Sequence, residues 1–303
     1  MQKKEFVKGI IDFKKNKFTP LNDKDIIKII TPKQIAAFKE IRERSIVKEE
    51  AKIFNERLGG FIFIFFKYAD KLFENNKDIL PSDITKLFYL ATFVNYEGCL
   101  ICEQAPMIKS KMRELLDLTL QTFNAFYERM KKSGIIIEGE GFIKINENYF
   151  HKGRVDLAIK EDRGFTRAYI NSIRFLYKNV DKRKHEILGN YFKIIPYIHQ
   201  KNCILCWNPQ TDKEDIKPLS AKDLQNILGL HRNSIRKFIN ELLSVRLNDG
   251  SSILIFIKNQ VDDNKLPVYV NPKLFYSGDF NPEDKEKITS PLFSRIKELF
   301  SIY

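Results

Sequence analysis

One half of this chain repeats the other. Setting Gly60-Phe61 on Gly164-Phe165 fixes an offset of 104, which also carries Leu72 onto Leu176, Phe73 onto Tyr177, Ile84 onto Leu188 and Phe88 onto Phe192. The same offset lays Gly98-Cys99-Leu100-Ile101-Cys102 on Asn202-Cys203-Ile204-Leu205-Cys206. It then widens to 112, matching Pro106 with Pro218, Met112 with Leu224, Leu118 with Leu230, Phe123 with Ile235, Phe126 with Phe238 and Met130 with Leu242. At 125, Ile145-Asn146 meets Val270-Asn271 and Tyr149-Phe150 meets Leu274-Phe275. Chance matches do not keep their order over about 95 residues with so few insertions, so this is a duplication. Whatever the chain folds into, it folds into it twice.

Each copy can be read for local structure. Residues 60–66 carry β-branched and aromatic side chains, as a short strand does. Ser82-Asp83 opens an amphipathic helix with Leu87, Leu90, Ala91 and Val94 at helical spacing. Tyr96-Glu97-Gly98 is a turn, and 99–102 reads as a short buried strand. Helices are predicted over 108–116 and 120–132, broken by Asp117-Leu118-Thr119 and stopped by Ser133-Gly134. Ile135-Ile136-Ile137 and Phe142-Ile143-Lys144-Ile145 make a hairpin around Gly139-Glu140-Gly141. In the second copy the corresponding helices are expected over 185–199, 220–228 and 232–243. Strands follow over 253–257 and 268–270, with a longer loop that includes Gln260-Val261-Asp262-Asp263-Asn264-Lys265.

A tight turn between two helices, the second amphipathic, followed by a hairpin, is the order of a winged helix-turn-helix. The fold expected is therefore mainly α with small β wings: two tandem winged-helix repeats, 60–153 and 164–278. Before them stands a basic segment, 1–59, with a long helix begun by Thr31-Pro32 and reaching Leu58. Its first residues are expected to be partly disordered. After them comes a tail, 279–303, with a short helix over 291–300. The connection over 154–163 is short and charged, so the repeats are expected to be fixed against each other.

The formal net charge is +13 and the pI about 9.4 in 303 residues. Such a field favours nucleic acid as partner, although AT-rich codons alone would raise the lysine count. The longest apolar run, Phe61-Ile62-Phe63-Ile64-Phe65-Phe66, falls far short of the roughly 20 residues that cross a bilayer. Met1-Gln2-Lys3-Lys4-Glu5-Phe6 has no signal-peptide core. Four cysteines without an export signal are expected to stay reduced. The expectation is a cytoplasmic protein with no membrane partner.

Catalytic chemistry finds no support in the residues. Two Cys-x-x-Cys pairs could in principle give zinc four thiolates. Their interior residues, Leu100-Ile101 and Ile204-Leu205, instead suit buried strands, so small buried hydrophobes are expected. His151, His185, His199 and His231 are isolated, and neither His-Glu-x-x-His nor a phosphate-binding Gly-Lys-Ser/Thr loop is present. The aromatic stretch from Phe61 to Tyr68 could stack single-stranded bases. The partner copy uses the same positions, which points to a core strand. No enzyme activity, metal or cofactor is expected.

The candidate site is the second helix of each helix-turn-helix. In the second copy Ile235, Phe238, Ile239 and Leu242 form the buried face. Arg232, Asn233, Arg236 and Lys237 lie opposite, with His231 just ahead. Arg can bridge guanine and Asn adenine in the major groove, while Lys takes phosphates. In the first copy the same face holds Gln121, Thr122, Asn124 and Ala125, with Glu128 further along; it is polar and nearly uncharged. It is a weaker reader of bases or an interaction surface.

The stretch Asp223-Leu224-Gln225-Asn226-Ile227-Leu228-Gly229-Leu230-His231-Arg232-Asn233-Ser234-Ile235 resembles the helix-turn-helix of bacterial winged-helix DNA-binding proteins. Ile145-Asn146-Glu147-Asn148-Tyr149-Phe150-His151-Lys152-Gly153 and Val270-Asn271-Pro272-Lys273-Leu274-Phe275-Tyr276-Ser277-Gly278 are similar to the wing exit of RepL-type plasmid replication initiators and related phage proteins. The resemblance covers both copies, but not the first 59 residues or the tail. Those initiators have one winged helix, whereas initiators of the iteron-binding type carry two in tandem. The resemblance implies sequence-specific binding of double-stranded DNA by a phage or plasmid protein, most sharply at a replication origin. Two alternatives stand beside it: a transcription regulator on an operator, and a winged-helix protein-docking module. Self-association and host replication or transcription proteins are further candidate partners.

Overall fold

The computed structural model describes residues 9–12, 17–20, 32–65, 78–153, 164–200, 202–211, 215–256 and 267–277. The predicted tail helix, the 154–163 connection, the second wing loop, Leu72 and Phe73 lie outside these. The chain divides into two units, Met1–Ile46 and Val47–Tyr303. The first contains an antiparallel hairpin, β1 (Gly9–Asp12) with β2 (Lys17–Pro20), pairing Gly9 with Pro20 and Asp12 with Lys17. The strands carry Ile10, Ile11, Phe18 and Thr19, residue types that favour extended backbone. Helix α1 (Pro32–Arg57) starts at the predicted proline and ends one residue short of Leu58.

The second unit is mixed, helical with small sheets. Its first copy runs β3 (Phe61–Phe65), α2 (Pro81–Ala91), β4 (Ile101–Cys102), β5 (Ala105–Pro106), α3 (Lys109–Leu116), α4 (Leu120–Lys132), β6 (Ile136–Gly139), β7 (Phe142–Ile145) and β8 (Phe150–His151). The second begins with β9 (Phe165–Tyr169), α5 (Ile170–Asn179), a 3-10 turn (Lys182–Lys184), α6 (His185–Phe192) and another 3-10 turn (Ile195–Tyr197). It continues through α7 (Ala221–Leu228), α8 (Arg232–Ser244), β10 (Leu254–Phe256), β11 (Val268–Val270) and β12 (Phe275–Tyr276). Helices α7 and α8 have the bounds of α3 and α4 displaced by 112 residues.

The copies share one sheet, in the order β12-β9-β3-β8. At its centre β3 and β9 run antiparallel, from Phe61 opposite Tyr169 to Phe65 opposite Phe165. Phe63 therefore faces Arg167, its own counterpart at offset 104, and a local two-fold axis passes between them. The outer strands obey the same axis. β8 joins β3 through Phe63 with His151 and Ile64 with Phe150. β12 joins β9 through Arg167 with Tyr276 and Ala168 with Phe275, the same register at offsets 104 and 125.

Strand alternation gives this sheet two faces. Ile62, Ile64 and Ala168 belong to the main core, which also takes in Leu87, Phe88 and Phe192. Phe61, Phe63, Phe65 and Phe165 cluster on the other face, with the Arg167 guanidinium 5.3–5.7 Å from three of those rings. All four strand residues from Ile62 to Phe65 are buried, which makes this stretch a core strand.

Across the core side, α2 and α6 meet about the same axis. Phe88 stacks on its counterpart Phe192 with centroids 4.3 Å apart. Thr85 donates its hydroxyl hydrogen bond to the carbonyl of His185 at 2.6 Å. The mirror contact sets Gly189, counterpart of Thr85, against Pro81, counterpart of His185. A Cβ on Gly189 would lie 1.7 Å from the Pro81 carbonyl oxygen. The two backbones touch there because the side chain is missing.

Three further expectations are corrected. The single helix over 185–199 is two pieces, because Pro196 has no N–H to continue a ladder and Ile198 bridges to Leu205 instead. α2 begins at Pro81 rather than at Ser82-Asp83, since Asp83 sits at its third position and accepts from the Leu80 N–H at 3.3 Å. The cysteine pairs, thirdly, are not equivalent. Leu100 N–H donates to Ile143 and Ile145 N–H to Gly98, whereas Leu205 N–H donates to Val268 and Val270 N–H to Cys203. Cys203 thus takes the place of Gly98, both with positive φ (55° and 74°), and Ile204 takes that of Cys99. A one-residue insertion before this strand shifts the offset to 105, and the lined-up cysteines are a coincidence of sequence. Helix α5 was not anticipated, although Ile170, Ile173, Leu176 and Tyr177 carry a helical period and are buried.

Helix propensity predicts that Gly189→Ala stabilises α6 by about 1 kcal/mol. The Pro81 carbonyl predicts the opposite sign: overpacking should destabilise by about 1–3 kcal/mol. Thermal melting of this variant is expected to show a lower midpoint than the parent; a rise would mean that α2 and α6 do not touch here.

Candidate nucleic-acid interface

The second copy builds its helix pair, α7 and α8, from strong local signals. Ser220 and Asp223 cap α7 reciprocally: the Ser220 hydroxyl accepts from the Asp223 N–H at 3.2 Å, and Asp223 accepts from the Ser220 N–H at 2.8 Å. α7 ends at Gly229, φ 63°, in the left-handed conformation that glycine adopts without strain. Leu230 then leads to His231, the N-cap of α8, whose Nδ1 accepts from the Asn233 N–H at 3.4 Å. His231 is exposed, and its visible role is to start the helix rather than to reach outward. Ile235, Phe238 and Leu242 are buried, with Ile239 partly so. Asn233, Arg236 and Lys237 are exposed on the opposite side, with Ser234 and Asn240 between them. Arg232 is the first residue of α8. Lys237 lies 3.8 Å from Glu241, and Arg236 is in no ion pair among the described residues.

The two-stranded sheet of β10 and β11 lies beside α8, and Ile204 adds a single bridge to Tyr269 of β11. The conserved geometry of its exit explains the repeated Asn. Asn271 donates its side-chain amide to the Ser252 carbonyl at 2.7 Å and accepts from the Lys273 N–H at 2.9 Å. Asn146 does the same to Gly134 at 3.1 Å and Asn148 at 3.0 Å. The motif that carries the resemblance is, in this chain, a device that ties the strand exit to its entry.

The first copy has the same frame with another surface. Thr119 caps α4, after Asp117 turns through a left-handed φ of 50°. Gln121, Thr122, Asn124, Ala125 and Glu128 are exposed. Leu120, counterpart of Arg232, is 59% exposed. Lys109, Lys131, Arg129 and Lys86 are held by acids of the same copy, whereas Arg113 on α3 is in no ion pair among the described residues. Glu138 on β6 accepts from the Tyr127 hydroxyl at 2.8 Å, pairs with Lys109 at 2.6 Å and also pairs with Lys131. Asp83, fully buried, accepts two bonds from Arg129 at 2.7 and 3.1 Å and one from Lys86 at 3.0 Å. In the second copy the counterparts of Lys109 and Lys131 are Ala221 and Leu243, so no such cluster forms.

The expected site residues therefore fall into two groups. Asn233, Arg236 and Lys237 share one helix face, with Arg232 at its head. Gln121, Thr122 and Asn124 share the equivalent face of the other copy. Two features escaped the sequence reading: the buried Asp83 hub, and the run Lys182-Arg183-Lys184 beside the first copy's turn. The run was legible as charge, but only the fold puts it next to Asp117.

The other candidates serve the interior. Cys203 and Cys206 are buried, and desolvation pushes their thiols up to about 12 and about 11, away from the thiolate that binds metals. Cys99 and Cys102 are only half-buried, against the expectation for all four. His199 bonds the Thr211 carbonyl at 2.9 Å, and His185 the Val180 carbonyl at 3.2 Å. Burial lowers the His185 pKa. Among the described residues no helix is long and apolar enough to cross a membrane, and no three His, Cys, Asp or Glu side chains are grouped to hold a metal. Compared with protein-family models, curated proteins and solved structures, the chain matches none.

The hydrogen bonds from Lys109, Lys131 and Tyr127 lower the Glu138 pKa from the ordinary 4.5 to about 2. A depressed carboxyl stabilises the fold fully above the unfolded value and ceases to as pH falls through the folded one. The stability difference between the parent and Glu138→Gln should therefore be constant from neutral pH down to about 5, then close between about 4.5 and 2. Denaturant titrations across that range check it, and a difference unchanged at pH 2 would remove Glu138 from the network.

Proposed function

We propose that this chain is a sequence-specific double-stranded DNA-binding protein of a phage or plasmid, with each copy a winged helix and α8 its principal reader. One observation carries the proposal: an exposed Asn233-Arg236-Lys237 face stands opposite a buried Ile235-Phe238-Leu242 face, directly after a glycine-closed turn. A helix so held offers an Asn for adenine, an Arg for guanine and a Lys for phosphate. The net charge of +13 supports it. The origin reading, preferred to an operator, rests on the similarity of the wing exits to plasmid initiators.

A second reading applies to the first copy alone. Its α4 face has no free cation, and Ile108, Leu120, Ile137 and Phe142 are exposed around it. That composition favours contact with another protein, or weak base reading, over tight DNA binding.

The test begins by selecting a preferred duplex from a random pool and measuring affinity from low to physiological salt. Displaced counterions should make binding fall steeply, and a flat response would count against DNA. Arg236→Ala should then cost roughly 1–3 kcal/mol on the selected duplex and less on a scrambled one, as loss of a base contact does. Asn124→Ala should cost less than Arg236→Ala. Equal melting of both variants with the parent is the control. If Asn124→Ala proves the more damaging, the first copy is the reader.

A further inference from the structure

We infer that residues 178–184 of the second copy are the phosphate-binding platform for the recognition helix of the first. This rests on the duplex-DNA reading above. On the first copy's α3 and α4, Lys109 and Lys131 are tied to Glu138 and Arg129 to Asp83, which leaves Arg113 as a cation in no ion pair among the described residues. Phosphate contacts are what fix a reader's register on the duplex, and few cations are left for them on this copy. The fold supplies cations from elsewhere in the chain.

Tyr177 at the end of α5 donates its hydroxyl to the Leu116 carbonyl at 2.9 Å. Lys182 donates to the Asp117 carbonyl at 2.7 Å and also pairs with the Asp117 carboxylate. Leu116 and Asp117 are the last turn of α3 and the start of the bend into α4, and Thr119, the N-cap of α4, is two residues on. The segment is held from below as well, through Thr85 on the His185 carbonyl at 2.6 Å. It is thus fastened beside the N-terminal end of α4, the end from which helix-turn-helix proteins touch bases.

Lys178, Arg183 and Lys184 are exposed there and are in no ion pair among the described residues. Asp181 caps the 3-10 turn by accepting from the Arg183 N–H at 2.9 Å, so its carboxylate serves the backbone. Lys178 near the end of α5, Arg183 and Lys184 on the turn, and Lys182 masked by Asp117 make a patch suited to a phosphodiester backbone. Asp117 is the built-in limit on its strength.

The experiment uses the full chain and a random-sequence duplex of about 40 base pairs, since phosphate contacts carry no sequence information. The Arg183→Gln/Lys184→Gln protein should show a slope of log affinity against log salt shallower by roughly 1.8, at about 0.9 per phosphate contact. Its affinity deficit should therefore shrink roughly tenfold between 50 and 200 mM salt. Asp117→Asn, which keeps the shape and tolerates the left-handed turn, should steepen the slope by about 0.9 by releasing Lys182. On a selected site, backbone protection lost in the double variant should fall in the half that Asn124→Ala also weakens. A parent that binds duplex while both variants keep its slope and melting point overturns the platform and leaves the DNA reading standing. Protection lost instead in the half weakened by Arg236→Ala overturns it too. A parent that binds no duplex at all overturns both.

Discussion

The antiparallel pairing of β3 with β9 is the constraint from which the rest of the second unit follows. It sets Phe63 against its counterpart Arg167, and once that pair is fixed the local two-fold places the outer strands and the meeting of α2 with α6. β8 and β12 add to the outer edges in matching register, and Phe88 meets Phe192 on the core side. Neither copy could stand alone in this form, because β3 is one strand of a sheet whose other central strand belongs to its twin. A two-stranded ribbon is marginal in water, whereas four strands covered by helices bury both their groups and their faces. The repeats are therefore halves of one core rather than beads on a linker.

This explains what could be read from the sequence and what could not. The helix bounds of α4 came out as expected because Thr119, the helical spacing of Phe123, Phe126, Tyr127 and Met130, and Ser133-Gly134 are all local signals. The β6–β7 hairpin of the first copy came out for the same reason, with Gly139, Glu140 and Gly141 marking its bend. The cysteine register did not, since a one-residue insertion in a loop leaves no mark in composition. Only the hydrogen bonds to Ile143 and Val268 show that Leu100 corresponds to Leu205. Arg236, Lys237 and Asn233 were legible as a face because helical period alone makes one. The pairing of Asp83 with Arg129, 46 residues apart, and of Lys182 with Asp117, 65 apart, needs the tertiary fold. No period or cap encodes such contacts.

The two copies keep one frame with opposite uses of charge. In the first, Arg129 reaches back from α4 to a buried carboxylate on α2; in the second the same positions hold Glu241 and Ile187. A buried ion pair of this kind contributes little net stability over an apolar packing, yet breaking it costs about 3–5 kcal/mol. It fixes how α4 sits on α2 more than it strengthens the fold. In the second copy Ile187 replaces the carboxylate, so no such buried pair ties α8. Asn233, Arg236 and Lys237 face solvent, and among the described residues only Lys237 of these lies near an acid, Glu241 at 3.8 Å. The proposed division of labour between a basic reader and a neutral face thus grows from substitutions at matched positions, with no change of backbone.

A single chain permits this where a dimer of identical subunits would not. At a true two-fold axis each residue meets a copy of itself, so the position of Phe63 and Arg167 would hold either two phenylalanines or two arginines. Two guanidinium groups directly opposite each other on adjacent strands repel. Fused in one chain, the position can hold one of each, and the guanidinium lies 5.7 Å from the ring of Phe63 in a cation–π contact that neither symmetric arrangement allows. The same freedom operates at Thr85 and Gly189, where one copy forms a hydrogen bond to the opposing carbonyl and the other makes room for it. It extends to the surface. An Asp117 that masks Lys182 in one half need not mask anything in the other, where Gly229 stands in its place. Duplication supplied the frame, and the covalent link let its two halves become unlike.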